Sequence, residues 1–416
     1  VTFIALAAGS VPLLRLNRAA IAIVGAGALL AMGVVSLTQA SSTIDPNTLL
    51  LLVSMMMINA VLELAGFFNW AGQMVIERAG SPLVLLILVV LTGGVLSAMF
   101  LNDPVVLMLT PLVCGITLRL KRNPIPYLLA LATAANVGST ATITGNPQNI
   151  LIGTSSGIPY LVFLARLGPV ALVGLTVVVV VIRFLYPAEF RVRRFEPLEP
   201  DPAPLATPLT QTKRAPLSMS TAAGLVYAPV LRKCILVILV LLVALLAGVQ
   251  PALAAFLAAC ALLITRRIKS EKILMLVDWQ LLVMFSGLFV VTGALEITGV
   301  SQKLFDLVSG LAHAGVAPLT LVTTILSNTI SNVPAVLLFR PLIAHFPNPQ
   351  QAWLTLAAAS TLAGNLTLIG SVANLIVAEQ ALKLGVKVTF MEYLKAGVII
   401  TVLTLAIAVL WLEIVT

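Results

Sequence analysis

Charge is what this 416-residue chain most lacks: only 9% of it is Asp, Glu, Lys or Arg, against about 25% in a soluble globular protein. That shortage excludes a soluble globular domain. Histidine is scarce, with His313 and His345 alone, so a His-based metal centre has too few ligands. The three cysteines, Cys114, Cys234 and Cys260, stand apart and form no C-x-x-C pair or Cys/His cluster, which excludes a disulfide framework. The chain also has no H-E-x-x-H, no acid-rich D-D-x-x-D, no paired intramembrane aspartates and no P-loop. Neither an enzyme nor a cofactor is indicated, and an ATPase, if one is used, would be a separate subunit.

What is present is apolar. Hydrophobic residues make up 60% of the chain, the mean hydropathy is +1.11, and 27 Gly and 24 Pro are spread through apolar runs, where a bilayer helix tolerates them. Each crossing uses roughly 20 residues, so the length suits an all-α polytopic membrane protein. The net charge of +9 does not point to nucleic acid, because the basic residues sit in short loops between apolar runs and so report topology. Thr2–Leu14 is apolar with no basic segment before it and reads as the remainder of a helix rather than a signal peptide.

One charged, proline-rich stretch, 187–232, interrupts the apolar runs and reads as a solvated linker between halves 1–186 and 233–416. The halves repeat each other. LSAMFLNDPVVLMLTPLV (96–113) aligns without gaps on LSNTISNVPAVLLFRPLI (326–343), with Leu96, Ser97, Asn102, Pro104, Val106, Leu107, Pro111 and Leu112 each recurring. Upstream, Leu62, Glu63 and Gly66 match Leu295, Glu296 and Gly299; downstream, Thr142, Gly145 and Asn149 match Thr367, Gly370 and Asn374.

Taking 82–118 and 316–343 as re-entrant helical hairpins, and 127–164 and 352–382 as broken helices that cross once, gives each half about five crossings. The second repeat is then inverted. On that trace all but three of the 24 Lys and Arg (Arg166, Lys303 and Arg340) fall on one face. The positive-inside rule makes that face, with the linker, cytoplasmic and puts the C-terminus outside. Two full crossings in place of each hairpin would give the same sides.

Inverted repeats with interrupted helices are the plan of secondary transporters, whose site lies near the midplane where helix ends and unwound backbone meet. Here two hairpin tips and two breaks should converge. Asn102, Asn332, Asn146, Asn149, Asn374, Thr142, Thr144, Thr367 and Ser371 offer amides and hydroxyls there, and Gly145 and Gly370 allow sharp turns. Helix capping and helix-to-helix bonding are the competing roles for such residues. Asp103 is the one acid at a tip, and an ionisable group at membrane depth costs about 2.5–3.5 kcal/mol on insertion scales. Proton exchange is the reading it favours, and an N-cap for the helix starting at Pro104 is the alternative. Val333 holds the matching place at the second tip, beside a proline that is kept. No Arg or Lys lies at any of these breaks in the sequence, which argues against a dicarboxylate site. Glu63 and Glu296 read as interfacial helix-end residues or as braces, and Arg340 as a side chain reaching the outer interface.

At these residues the sequence resembles the ion transporter superfamily, which includes arsenite/antimonite efflux permeases, sodium/proton antiporters and sodium-coupled dicarboxylate carriers. The dicarboxylate branch has Ser-Asn-Thr at both tips, where this chain has Leu101-Asn102-Asp103 and Ser331-Asn332-Val333. The arsenite branch is nearer: an Asn-Asp tip before Thr-Pro, like Asn102-Asp103 and Thr110-Pro111, an Asn two residues before Pro334, and Ile369-Gly370-Ser371. Gly145-Asn146-Pro147-Gln148-Asn149 departs towards the anion carriers. The resemblance implies a plasma-membrane exporter of arsenite and antimonite in exchange for protons, by alternating access; the hairpin-containing domain would move against a scaffold of the remaining helices, which leaves room for a homodimer without requiring one. The alternatives are a sodium-coupled inorganic anion or dicarboxylate transporter and a sodium/proton antiporter. The inward movement of each charge supplies about 2.3 kcal/mol per 100 mV.

Overall fold

A computed structural model describes residues 2, 16–191, 195, 228–265, 267–300, 303 and 315–416. Most of the expected helix at 2–14 and of the expected linker at 187–232 lies outside the described residues. The described ones are helical almost throughout. In the first half they form α1 (Arg18–Ala31), α2 (Leu37–Thr43), α3 (Pro46–Ala65), α4 (Phe67–Arg78), α5 (Pro82–Met99), α6 (Asn102–Arg119), α7 (Pro124–Ser139), α8 (Pro147–Ser156) and α9 (Tyr160–Leu185). The second half contains α10 (Ala228–Leu246), α11 (Pro251–Leu263), α12 (Ser270–Met275), α13 (Trp279–Ile297), α14 (Val316–Ile330), α15 (Asn332–Phe339), a 3-10 turn (Arg340–His345), α16 (Pro349–Ala363), α17 (Val372–Lys383) and α18 (Phe390–Val415). Among the described residues, α3, α5, α9, α10, α13 and α18 are each long and apolar enough to cross a membrane.

Local chemistry sets the helix ends. Pro46, Pro82, Pro124, Pro147, Pro251 and Pro349 each sit in a first helical turn, where no backbone donor is missed. Ser81, Asn123, Asn146 and Asn348 cap α5, α7, α8 and α16 with their side chains. The recurring Gly66 and Gly299 both turn left-handed, at φ 82° and 70°, just past α3 and α13. Their amides bond back to the carbonyls of Glu63 and Glu296, so this part of the repeat is a helix-stop signal.

The stretches expected to be hairpins, 82–118 and 316–343, each begin with two successive helices. α5 gives way to α6 through Phe100 and Leu101, and α14 gives way to α15 at Ser331. The broken helices are α7 with α8 and α16 with α17. The first is shorter than its expected 127–164, because Gly157 at φ 66° stops α8 and residues 160–164 begin α9. Packing is exchanged between the halves. α6 of the first hairpin lies on α17, and α15 of the second lies on α8; α5 lies on α7 as α14 lies on α16, and α9 packs on α18.

A candidate substrate site at the hairpin tips and helix breaks

The four elements meet through hydrogen bonds. Asn102 N–H donates to Gly145 O (3.0 Å), joining the first tip to the first break. The Asn102 side chain donates from Nδ2 to Asn136 Oδ1 (3.2 Å). Asn136, in the buried α7, donates in turn to Asn365 Oδ1 (2.9 Å) and Asn374 Oδ1 (3.1 Å) at the second break, and accepts from Ser371 Oγ (3.1 Å). At the second tip, Asn328 Nδ2 donates to Ala363 O (3.0 Å). A methyl group on Gly370 would lie 2.9 Å from Asn328 Oδ1, and one on Gly364 would lie 3.4 Å from Asn332 Nδ2. Gly145 is equally confined, since a methyl there would lie 2.3 Å from Ser139 O.

The breaks are held by matching bonds. Asn149 Nδ2 donates to Ser139 O and Thr142 O, both at 3.0 Å, ten and seven residues back. Asn374 Nδ2 donates to Gly364 O (2.8 Å) and Thr367 O (3.1 Å), at the same two spacings. Both hydrogens of each amide are therefore spent on the unwound backbone. Asn146 caps α8 through Asn149 N–H (2.8 Å) and donates to Ser139 Oγ (3.0 Å) and Thr361 Oγ1 (3.2 Å). Thr142 donates to Ala98 O on the first hairpin, and Thr144 lies 3.4 Å from the Tyr160 hydroxyl. Thr367 shapes the second break through its carbonyl, which also receives Gly370 N–H (3.0 Å).

Some oxygens at the tips remain open. Among the described residues, the buried atoms Ser97 Oγ, Asn102 Oδ1, Ser327 Oγ, Asn328 Oδ1 and Asn332 Oδ1 have no hydrogen-bond partner. Two of these are repeat pairs, Ser97 with Ser327 and Asn102 with Asn332. Asp103 is half-buried in the first turn of α6, and no side chain caps that helix. Asp278 caps α13 through Leu281 N–H.

One feature differs from the expectation. Arg18, at the start of α1, reaches the second tip and donates from Nη1 to Ser331 Oγ (3.5 Å), so a cation does stand at a tip. Sequence spacing could not show this, because Arg18 lies 313 residues away. Arg340 rests over the Phe289 ring, 5.6 Å from its centroid. Sequence reasoning also missed Asn136, Thr361 and Asn365. The available signal was polarity: each is an amide or hydroxyl inside an apolar helical run or just beyond its end. Among the described residues no group of His, Cys, Asp and Glu could hold a metal ion. A cavity of about 450 Å³ at Lys121–Asn123 and Leu185–Glu189 shares no residue with the tips.

Apolar spanning helices, two bent hairpins and two breaks around a shared polar centre define a multi-pass membrane transporter rather than an enzyme. The family model described as citrate transporter matches residues 3–363, and the chain belongs to that family, within the ion transporter superfamily. It is 31% identical to the 46 kDa membrane protein of Mycobacterium leprae (strain TN) over 421 residues, covering 96% of this chain and 94% of that one. It is also 31% identical to the silicon efflux transporter LSI3 of Oryza sativa subsp. japonica over 420 residues, covering 89% and 87%. The fold is similar to that of the Alcanivorax borkumensis YdaH transporter, with a TM-score of 0.58 at 14% identity, over 91% of this chain and 86% of that one.

Proposed function

We propose that this transporter exports arsenite and antimonite, as uncharged hydroxy acids, across the plasma membrane in exchange for protons, by alternating access. The observation that carries the reading is the chemistry of the open atoms at the tips. Asn102 Oδ1, Asn328 Oδ1 and Asn332 Oδ1 are buried and unpartnered, and amide oxygens only accept. They call for a ligand that brings its own hydrogens. Arsenous acid, neutral at pH 7 with three hydroxyls, does so; a carboxylate at that pH only accepts. The rice relative's printed name, silicon efflux transporter, supports the same class, since silicic acid is another uncharged polyhydroxy acid. Asp103 is the proton carrier in this reading: it stands beside the open Asn102 and is not needed to cap its helix. The exchanged packing of α6 on α17 and α15 on α8 supports two inverted repeats, 1–186 and 233–416, and the Lys/Arg bias of the sequence supports a linker in the cytoplasm and a C-terminus outside.

A second reading, a carrier of organic acid anions, rests on the Arg18 guanidinium at Ser331 and on the family's description. A sodium-coupled carrier would fill the same oxygens with a cation. Transport into proteoliposomes under an imposed pH gradient separates these, with arsenite, antimonite, silicic acid, citrate, succinate and sodium offered in turn. Proton-driven arsenite flux that Asp103→Asn abolishes is the expected result. Sodium-driven flux, or citrate flux that falls with Arg18→Gln while arsenite does not move, would overturn it.

A further inference from the structure

Asn136 uses its entire hydrogen-bonding capacity. Its amide gives both hydrogens to the second break, to Asn365 Oδ1 and Asn374 Oδ1, and its Oδ1 takes two hydrogens, from Asn102 Nδ2 and Ser371 Oγ. The matching place in the second half is Thr361, since both stand 13 residues before their break's stapling Asn. Thr361 Oγ1 donates to Asn149 Oδ1 (3.4 Å) across the halves, as Asn136 Nδ2 donates to Asn374 Oδ1. The two places therefore share one duty, steadying the opposite break. Only Asn136 has a second duty, at a tip. Because Asn102 Nδ2 is fixed on Asn136, the Asn102 amide cannot turn over, and its Oδ1 is the atom left open. At the second tip, Asn332 Oδ1 is open as well among the described residues.

We infer that Asn136 is the positioning residue of the substrate site: it presents Asn102 Oδ1 to the ligand and joins that tip to the second break. The inference rests on the tips being the substrate site, as proposed above. A bystander brace at this position would steady the helices without affecting how tightly substrate is held.

Thr361 supplies the test. Asn136→Thr keeps a hydroxyl to donate to Asn374 Oδ1, as its counterpart does to Asn149, but gives up the donor to Asn365 and the longer-reaching carbonyl that holds Asn102 and Ser371. Arsenite and silicic acid are the probes in proteoliposomes, with Asn102→Ala and the double variant alongside. Asn136→Thr is expected to raise the half-saturating concentration about fivefold to tenfold, the scale of one lost orienting hydrogen bond, with the maximal rate within about twofold. In the Asn102→Ala background it should add nothing. The same cycle is run on thermal unfolding in detergent, which needs no substrate. Additive effects in the transport cycle, or a lowered maximal rate with unchanged half-saturation, would overturn the positioning role while leaving the tip as the site. An Asn102→Ala variant with normal half-saturation for both probes would overturn the site reading and the inference together. Transport of neither probe would overturn the substrate reading, and additive melting shifts would then overturn the Asn136–Asn102 coupling by themselves.

Discussion

Gly138 rests on the backbone of Gly94: a methyl group on Gly138 would lie 2.1 Å from the Gly94 carbonyl oxygen and 2.5 Å from its Cα. Small residues let α5 of the first hairpin approach α7 of the first broken helix this closely, and the contact holds Asn136 near the tip. No flexible side chain can yield there. Gly138→Ala should therefore cost at least the roughly 1–3 kcal/mol of an overpacked core, and would be read as a lowered thermal midpoint in detergent. Gly115→Ala on α6, where nothing lies within 4 Å, is the control and should leave stability unchanged or raise it by up to about 1 kcal/mol. Equal midpoints for the two variants would mean that the helices part without penalty.

Asp103→Asn should abolish dependence of arsenite flux on the imposed pH gradient while leaving the fold intact, because no helix cap depends on the carboxylate. The amide is close in size and carries no exchangeable charge. Thermal midpoints within a few degrees of each other, beside lost pH-driven flux, are the expected pair of results. A large fall in midpoint would show that Asp103 holds the tip together, and the proton role would lose its support.

Glu189, just past α9, is anchored to residues between and within α6 and α7. Arg122 Nε pairs with Glu189 Oε1 at 2.7 Å, and the Tyr127 hydroxyl donates to the same oxygen at 3.0 Å. The Glu189 side chain is 10% exposed, so these are charge-assisted bonds largely out of water. Glu189→Gln is expected to cost about 1.5–3 kcal/mol, the range for hydrogen bonds to a charged group. Adding Arg122→Gln should recover part of that loss, since the stranded guanidinium is then gone. A double-mutant cycle of unfolding that shows no coupling would demote the pair to a surface contact.

How legible this arrangement was in the sequence depended on the range of the information. Helix ends are local matters of Asn, Pro and Gly inside apolar runs; Gly66 and Gly299, which recur in the sequence, both turn left-handed just past a helix. Gly157 was harder to see, because Ser155-Ser156-Gly157 continues an apolar run without a charge, and the helix boundary at 160 was misplaced. Long-range contacts were invisible. Nothing near Arg18 indicates that it meets Ser331, and nothing near Asn136 indicates that it gathers Asn102, Ser371, Asn365 and Asn374. Such bonds depend on which helices touch, and hydropathy does not encode that. For Asn149 and Asn374 the sequence suggested substrate contact, helix capping or helix-to-helix bonding; the structure spends their donors on carbonyls of their own break instead.

The two tips match in sequence but differ in backbone. Leu101 precedes α6 at φ −61° and ψ 130°, an ordinary extended conformation. Ser331 precedes α15 at φ 81° and ψ 158°, a region open almost only to glycine, which costs a serine about 1–3 kcal/mol. The Arg18 guanidinium on Ser331 Oγ and the neighbouring helices must offset that cost. Ser331→Gly should relieve the strain and raise the thermal midpoint by the equivalent of about 1–2 kcal/mol, even though the bond to Arg18 is lost. Ser331→Ala loses the same bond and keeps the strain, so it should fall below wild type. If strain keeps the second tip ready to shift between conformations, the glycine variant will also turn over more slowly than wild type despite being more stable. A glycine variant no more stable than the alanine one would show that Ser331 is not strained, and the difference between the tips would then have no energetic consequence for the transport cycle.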